Sequence, residues 1–491
     1  MLSVLVCLGL QASGAEDVNL WGRLANPGFE GERIRATLFF AGQARDGTNP
    51  YGCNLVPSEN LSLYTVKPQD PRHLKWSESG ANRTFALDQM IEAGLNVICM
   101  SSWGEDFLPC SESWGPWAPM QTSPASHDEL FAAIGGRHLL VVPFIESRGN
   151  WNFRNEFPRW TDGRVAPGTV SQIVNLIRRY LRNASHPEWR DRWARVYDRK
   201  GVPRYAVALI HVSSNRLSAR DHAEFARGFE LMAREILSAT GVKVGFFLDV
   251  LPPGTFAPGS FRPSPELTGP YLKAADSILG IQCFIPEVWL TGSPGEADRI
   301  AWKRDFSRRW FETGIPFLMD VSPGYDAHLV FPGSAYYGYT DRWLEALEQM
   351  VQEFGGAPYV YNSWNGFTEG MAGMPLLRRY GGDRYFLWLK RLSLVAFRRG
   401  DANADGAVDL ADAICILGYL FGASGDPCRA KVRLCLSASD ANADGAVDVS
   451  DPIIVLSYLF ANTDGLPPPF RKCGIDASRS ALDCNRFPPC R

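Results

Sequence analysis

Two twelve-residue segments of this 491-residue chain repeat one pattern of oxygen-bearing side chains. The first reads DANADGAVDLAD from residue 401, and the second reads DANADGAVDVSD from residue 440. Asp or Asn at positions 1, 3, 5, 9 and 12, with Gly at position 6 for a sharp turn, is the ligand spacing of a calcium loop. So many carboxylates in one loop would repel each other unless a hard cation held them. The repeat therefore predicts two structural calcium ions.

The predicted calcium ligands occupy equivalent positions in the two loops, with the backbone carbonyl of an alanine at position 7. They are Asp401, Asn403, Asp405, Ala407, Asp409 and Asp412 in the first loop, and Asp440, Asn442, Asp444, Ala446, Asp448 and Asp451 in the second. Each loop leads into a short apolar helix, AICILGYLF in the first copy and PIIVLSYLF in the second. Only the segment CLSAS precedes the second loop, so the predicted repeat unit is a loop followed by an exit helix.

This repeat of loop and helix, over residues 399 to 462, resembles a type I dockerin, in which position 12 is also Asp. The resemblance implies a cohesin-like or cell-surface scaffold as partner. It places the partner contacts at the helix starts, on Leu410, Ala411, Val449 and Ser450. The alternative is a calcium-stabilised module without a partner, because the six Cys residues and the absence of a Ser/Thr/Pro linker after Arg398 depart from ordinary dockerins.

Acidic, amide and aromatic side chains also collect where apolar, strand-like segments end. Carboxylates bind hydroxyls and transfer protons, and aromatic rings stack on the apolar faces of sugars, so this mixture is typical of carbohydrate sites. The acidic candidates for catalysis at these strand ends are Glu369, Glu287 and Asp249. The predicted substrate-binding residues are Asn365, Trp364, Phe367, Tyr325, Asp326, Glu146 and Trp103. For any single acid, the alternative is a solvated loop carboxylate or a helix cap.

Eight apolar segments that alternate with helix-period segments must position these residues. They read RIRATLFFAG, LNVICMSSWG, HLLVVPFIES, YAVALIHVSS, VKVGFFLDV, ILGIQCFIPEVW, IPFLMDVSPGYD and PYVYNSWNGF. Eight strands buried on both faces, each followed by a helix, predict a parallel (β/α)8 TIM barrel with its site where the strands end. The alternative is an open doubly wound sheet, for which no Gly-rich phosphate fingerprint follows a strand.

The segment SWNGFTEG in the eighth strand resembles the SWNEWxEG or FNEWHEG segment of glycoside hydrolase families 99 and 71. Those families are (β/α)8 enzymes acting on α-mannosides and α-1,3-glucans. The resemblance matches Asn365, Phe367 and Glu369 to motif residues, implies that Glu369 is the general acid, and puts Gly366 where the motif has its first Glu. The strand-7 segment MDVSPGYDAH looks like a companion motif of this group.

Glycoside hydrolysis normally needs two carboxyl groups, so Gly366 leaves two hypotheses open. Another strand end supplies the second carboxylate, with Glu287 and Asp249 as the first candidates, followed by Asp326 and Glu146. Alternatively, the barrel binds glycans without cleaving them.

Composition and cysteine usage suggest where the protein works. A net charge of −3 gives no indication of nucleic acid or of an anionic membrane surface as partner.

The start, MLSVLVCLGLQASGAED, predicts a signal peptide over residues 1 to 15, which is too short to span a bilayer. Six of the 11 Cys residues lie in the last 80 positions, which favours an oxidising compartment. Their pairing stays open, Cys53 and Cys110 are a further candidate pair, and Cys99 and Cys283 are predicted buried thiols.

The sequence thus predicts an α/β protein, a (β/α)8 TIM barrel over residues 20 to 398 followed by a small, α-helical, disulfide-rich module with calcium loops over residues 399 to 462. A Pro- and Cys-rich tail covers residues 463 to 491. The predicted function is a secreted or periplasmic glycoside hydrolase acting on a polysaccharide or oligosaccharide. The alternatives are a non-catalytic glycan-binding barrel and a scaffold-anchored or cell-surface-anchored protein whose main function is calcium-dependent docking.

Overall fold

Eight parallel strands form a closed barrel in the computed structural model, and we number them barrel strands 1 to 8. They are Arg35–Phe39, Val97–Ser102, Leu140–Ile145, Pro203–Leu209, Val244–Asp249, Ile278–Gln282, Phe317–Val321 and Tyr359–Tyr361. Each strand pairs in parallel with the next along the chain, and strand 8 pairs with strand 1, which closes the sheet. The predicted (β/α)8 barrel is confirmed, and the open sheet is excluded.

The structure describes residues 20–40, 64–102, 124–145, 167–209, 219–249, 265–290, 294–329, 332–354, 356–367, 369–423, 426–461 and 465–475, with residues 482, 484, 487, 489 and 490 of the C-terminal tail. Within these ranges the barrel is surrounded by the helices Gly80–Glu92, Pro124–Ile134, Pro167–Leu176, Ala219–Thr240, Pro265–Ala274, Glu296–Glu312, Asp341–Glu353 and Arg384–Ser393. The helices have local start and stop signals. The Thr340 side chain caps its helix by accepting from the Trp343 amide at 3.1 Å, and Gly314 at φ +73° follows another helix end.

The strands are apolar almost throughout because both of their faces are buried. The inward-facing side chains form one cluster in the barrel interior, which includes Leu38, Cys99, Phe247, Leu318 and Val360. The outward-facing side chains pack against the helices in a second, larger cluster. Cys99 and Cys283 are buried thiols, as predicted.

Two short additions modify the barrel. The strand Arg195–Tyr197 pairs antiparallel with the start of strand 4. A hairpin made of Gly324–Asp326 and Tyr336–Gly338 follows strand 7. The two hairpin strands approach so closely that a Cβ on Gly338, at φ +84°, would lie 2.5 Å from the Cα of Gly324.

The C-terminal module contains the helices Leu410–Phe421, Pro427–Leu434, Leu436–Ser439 and Ser450–Phe460. The prediction that no helix precedes the second loop is wrong. Asp426 caps the helix Pro427–Leu434 by accepting from the Cys428 amide at 2.8 Å, Pro427 suits its first turn, and Cys428 is bonded to Cys415.

The six C-terminal Cys residues pair as Cys415–Cys428, Cys435–Cys484 and Cys473–Cys490. The pair Cys53 and Cys110 lies outside the described residues. The three disulfides are compatible with a secreted protein. None of the helices in the described ranges combines the length and the apolarity that a membrane crossing requires.

Candidate functional site

The hairpin after strand 7 and the loop after strand 8 meet at the carboxyl end of the barrel. The Asp326 amide donates a hydrogen bond to the Glu369 carbonyl at 3.0 Å. Glu369 is half-buried, and the Asp326 side chain is 15% exposed, so both carboxylates keep some access to solvent. The Asp326 carboxylate pairs with the ring of the exposed His328. Two carboxylate-bearing residues from neighbouring strand ends therefore lie side by side at the barrel rim.

Aromatic residues in the same hairpin and directly after it lie beside these two acids. The Tyr339 hydroxyl lies directly against Gly370, which follows Glu369 and has φ +71°. Burial, followed by the negative charge of Asp326, raises the pKa of Tyr339 well above its usual value. The Tyr336 ring is 68% exposed, and its centroid lies 5.8 Å from that of Tyr339. An exposed aromatic ring next to carboxylates is a surface on which a sugar can stack.

Gly366 occupies a position that no larger residue fits without a shift. A Cβ at this position would lie 2.5 Å from Ser363 Oγ and 3.3 Å from the Met371 Cβ. The loop closes on itself here, because the Met371 amide donates to the Gly366 carbonyl at 3.0 Å. The tight turn explains physically why this chain has no carboxylate at Gly366.

The other predicted residues of the strand-8 loop are engaged in packing. The Asn365 side-chain oxygen accepts from the Phe40 amide at 3.1 Å, and its nitrogen donates to the Phe40 carbonyl at 2.8 Å. Trp364 and Phe367 are fully buried, and the Phe367 ring packs 5.3 Å from that of Tyr64. These three side chains fix the loop against the end of strand 1, so their arrangement does not favour the predicted contacts with a substrate.

Glu287 lies in a buried ion-pair cluster. It sits in the short turn Pro286–Trp289 after strand 6 and is 0% exposed. Lys303, from helix Glu296–Glu312, pairs with the Glu287 carboxylate and with Asp320 Oδ2, the latter at 2.9 Å. Burial raises the pKa of Glu287. Burial also acts to lower the pKa of Lys303, but the charges of Asp320 and Glu287 outweigh it and raise that pKa. This arrangement indicates a structural role, and the predicted catalytic role of Glu287 is not favoured by it.

The remaining predicted barrel residues are placed as follows. Asp249 ends strand 5, is fully buried, and accepts from the Phe284 amide at 3.1 Å. Tyr325 is 4% exposed and stacks on Tyr337, with 6.1 Å between the ring centroids. Glu146 and Trp103 lie outside the described residues.

The two predicted calcium loops fold in the same way. In the first, the position-1 carboxylate of Asp401 accepts from the amides at positions 5 and 6, at 3.1 and 2.9 Å. In the second, Asp440 accepts from the equivalent amides at 3.1 and 3.2 Å. The position-12 carboxylates, Asp412 and Asp451, each accept from the amide at position 9 at 2.8 Å. Gly406 and Gly445 share a left-handed turn, at φ +93° and +89°.

The donor chemistry of these loops suits a hard cation, because carboxylate, amide and carbonyl oxygens alternate around each turn. Burial, as the largest cause, raises the pKa of Asp401 to about 6 and that of Asp412 to about 7. A nearby positive charge would stabilise the ionised form of these carboxyl groups, whose pKa is raised by burial. As the side chains stand, no three acidic, His or Cys side chains in the described part of the chain converge closely enough to bind a metal.

Sequence reasoning did not single out Tyr336, Tyr339, Gln282, Asn362 or Lys303. The tyrosines had a visible signal in the segment SAYYGYT, which follows strand 7. Lys303 had none, because it stands among the other basic residues of RIAWKRDFSRRW.

No family model and no curated protein matches the chain. Several solved structures of glycoside hydrolases are similar to it in part of their fold. They include a family-99 endo-alpha-mannosidase from Bacteroides thetaiotaomicron, with a TM-score of 0.46 and 15% identity, over 73% of this chain and 95% of that one. An exo-beta-1,4-mannosidase from Opitutaceae bacterium strain TAV5 has a TM-score of 0.41 and 12% identity, over 76% and 61%. A family-5 mannosidase from Rhizomucor miehei has a TM-score of 0.37 and 12% identity, over 74% and 92%. The barrel assignment rests on the strand pairing and not on these likenesses.

Proposed function

We propose that the barrel is a glycoside hydrolase in which Glu369 is the general acid and Asp326 supplies the second carboxylate. The observation that carries the proposal is the hydrogen bond between the Asp326 amide and the Glu369 carbonyl, which holds the two acids on adjacent loops at the rim of a (β/α)8 barrel. Active sites of such barrels lie at this end. A polysaccharide or oligosaccharide is the substrate class that suits two acids beside tyrosine rings.

Asp326 is preferred to the other candidates because of its surroundings. Glu287 is fully buried and held by Lys303, and Asp249 is fully buried at the end of strand 5. Asp326 keeps solvent access, and its neighbour His328 can hold the carboxylate in place. A carboxylate that attacks a sugar carbon, or that activates a water molecule, has to reach the substrate, so solvent access separates these three acids.

The test is hydrolysis of a panel of α- and β-linked mannans and glucans, read as reducing ends released. Wild type should cleave at least one of them. Glu369→Gln and Asp326→Asn should each lower kcat by at least about a hundredfold, the lower range for a group that transfers a proton. Glu345→Gln, an exposed acid on helix Asp341–Glu353, is the matched control and should keep full activity. Saturable binding without released reducing ends would support the glycan-binding alternative and contradict hydrolysis.

For the C-terminal module we propose two structural calcium ions, held by the two loops. The proposal rests on the repeated ligand spacing and on the matching hydrogen bonds around positions 1 and 12. Asp401, Asp405 and Asp412 would hold the first ion, and the equivalent residues would hold the second. Bound cations would neutralise the loop carboxylates and so stabilise the module.

A docking role for this module is the second candidate function, and one observation favours it. Large apolar side chains stay exposed at equivalent positions of the two repeated helices. They are Leu410, Ile414 and Phe421 in one helix, and Val449, which directly precedes the other helix, with Ile453 and Phe460 in it. A purified cohesin domain should bind the full chain in calcium and release it in EDTA, and Ile414→Asp with Ile453→Asp should abolish binding. Binding that survives both changes would contradict this role.

A further inference from the structure

The last inward-facing positions of strands 5 to 7, and the residue that directly follows strand 8, are polar, although the layers beneath them are apolar. Side chains on one face of a strand recur every second residue. Asp249 is two residues after Phe247, Asp320 is two after Leu318, and Asn362 is two after Val360, and those three apolar residues belong to the interior cluster. Gln282 is two residues after Gly280, whose Cβ direction points at the Phe247 ring. All four polar side chains therefore point into the carboxyl end of the barrel.

These four residues, which we call the polar floor, come from the carboxyl ends of four consecutive strands of the sheet. Asp249 is in register with Gln282 on the adjacent strand. The Asn362 side-chain nitrogen donates to Asp320 Oδ1, and that same oxygen accepts from the Ile285 amide at 3.2 Å. Lys303 pairs with the other oxygen of Asp320. Asp320 is thus held from three sides and in turn orients Asn362.

The polar floor carries hydrogen-bonding atoms that no other described residue satisfies. Gln282 is 3% exposed, and neither its side-chain nitrogen nor its side-chain oxygen has a partner within the described ranges. Asn362 is 2% exposed, and its side-chain oxygen is equally without a partner there. Buried side-chain polar atoms are nearly always hydrogen-bonded in folded proteins. A side-chain amide whose nitrogen and oxygen both lack partners, at the carboxyl end of a barrel, is therefore expected to contact a ligand.

We infer that the polar floor is a sugar-binding floor, in which Gln282 and the oxygen of Asn362 bind hydroxyls of the glycan, while Asp249 and Asp320 hold the Phe284 and Ile285 amides of the loop after strand 6. This inference rests on the proposed function and names the part of the site that recognises the substrate. A sugar hydroxyl both donates and accepts, which matches an amide that offers one donor group and one acceptor.

The charges around the floor restrict the ligand to neutral sugars. Asp249, Asp320 and Glu287 supply three carboxyl groups, and the cations beside them are Lys303, which pairs with two of these groups, and Arg299, which donates to the Glu287 carbonyl at 2.7 Å. A phosphate or uronate group placed on the floor would meet the carboxyl groups, while both cations are already engaged. A neutral hexose unit avoids this cost.

The test replaces Gln282 by a side chain of similar size without hydrogen-bonding atoms. Gln282→Met is made in the Glu369→Gln background, so that the glycan is bound and not consumed, and the Kd is measured by calorimetry for the panel of neutral mannans and glucans. The dissociation constant should rise at least about tenfold, because a site built to bind a hydroxyl loses that contact. The melting temperature should stay equal or rise, because two unpaired buried polar atoms have been removed.

Gln172→Met is the matched control. Gln172 is also a buried glutamine with an unpaired oxygen, but it lies on the outer helix Pro167–Leu176 and donates to Ser102 Oγ at 3.3 Å. Its Kd should match that of the Glu369→Gln parent. If Gln282→Met fails to fold, Gln282→Leu provides a second apolar side chain of similar size.

The outcomes separate the inference from the proposed function. A Kd for Gln282→Met within twofold of the parent, in a protein that folds, overturns the floor even if wild type cleaves glycans. Glycan binding that weakens with Gln282→Met, in a protein that cleaves nothing, supports the floor and overturns hydrolysis. Tighter binding of a uronate-bearing glycan than of its neutral counterpart also overturns the inference. If no glycan binds, both proposals fail.

Discussion

The backbone amide of Asp326 donates to the backbone carbonyl of Glu369 at 3.0 Å, so the loops after strands 7 and 8 are joined by a main-chain hydrogen bond. The bond does not depend on either side chain. Substituting Asp326 or Glu369 should therefore leave the loops in place and change only the carboxylate. This separation lets the chemistry of the two acids be tested with little effect on the fold.

The missing acid at Gly366 should not be restorable by mutation. Gly366→Ala should destabilise the protein by about 1 to 3 kcal/mol, because its Cβ would press on Ser363 Oγ, and overpacking of this kind costs that much. Gly80→Ala is the matched control, since a Cβ there meets nothing within 4 Å and Gly80 begins a helix. Denaturant unfolding measures both. Equal stability of the two variants would show that the turn is not tightly packed.

Lys303 should be indispensable for stability. Lys303→Met leaves the buried carboxylates of Glu287 and Asp320 without their cation, and removing one partner of a buried ion pair costs roughly 3 to 5 kcal/mol. The exposed Lys243→Met is the control and should shift the free energy of unfolding by less than about 0.5 kcal/mol. A similar small shift for Lys303→Met would mean that the cluster contributes nothing to the fold.

The barrel should lose stability as the pH falls below about 6.5, because of a buried histidine. Burial lowers the pKa of His127 to about 4, against a usual value of about 6.5 in the unfolded chain. Between these values the unfolded state binds more protons, so stability is complete above about pH 6.5 and is lost as the pH falls toward 4. The shift corresponds to a loss on the order of 3 kcal/mol.

His127 packs near Asp128 and Arg179, and its ring donates to the Ser101 carbonyl at 2.9 Å. His127→Gln keeps a donor without the titration and should flatten the dependence of the melting temperature on pH. His73, whose pKa is also lowered to about 4 by burial, should account for part of the remaining slope. An unchanged slope in His127→Gln would contradict the assignment.

Removing calcium should destabilise the C-terminal module of the full chain. Calcium at a hundred times its Kd should stabilise the module by about 2.7 kcal/mol for each bound ion, and EDTA should remove this gain. Asp401→Ala with Asp440→Ala, which deletes both position-1 carboxylates, should melt at the same temperature with and without calcium. A wild-type melting curve that chelation does not change would refute the calcium proposal.

The sequence predicted the barrel because its strands are buried on both faces, and that burial leaves a continuous apolar pattern. The spacing of Asp, Asn and Gly residues also predicted the two repeated loops. The sequence pattern did not predict how the side chains at the rim of the barrel pack. Trp364 and Phe367 are predicted substrate contacts, but the chain turns back after strand 8, where the Trp364 amide donates to the Leu38 carbonyl at 2.9 Å, and both rings are part of the core.

The partners of the buried acids could not be predicted either. Glu287 and Lys303 are 16 residues apart, and their pairing depends on the rotation of helix Glu296–Glu312 about its axis. The hydrogen bond between Asp326 and Glu369 depends on the hairpin that follows strand 7, whose two strands are separated by nine residues of sequence. Neither relation leaves a periodic signal in the chain.

The most direct test of the central claim, that Glu369 is the general acid, compares two leaving groups. Wild type and Glu369→Gln are assayed on a cleaved glycan and on an aryl glycoside of the same sugar, whose acidic phenol leaves without protonation. We predict a loss of kcat/KM of at least about a hundredfold on the glycan and less than about tenfold on the aryl glycoside, because kcat/KM reports departure of the leaving group and only the glycan needs the proton. Equal losses on both substrates, or none on the glycan, would contradict the account.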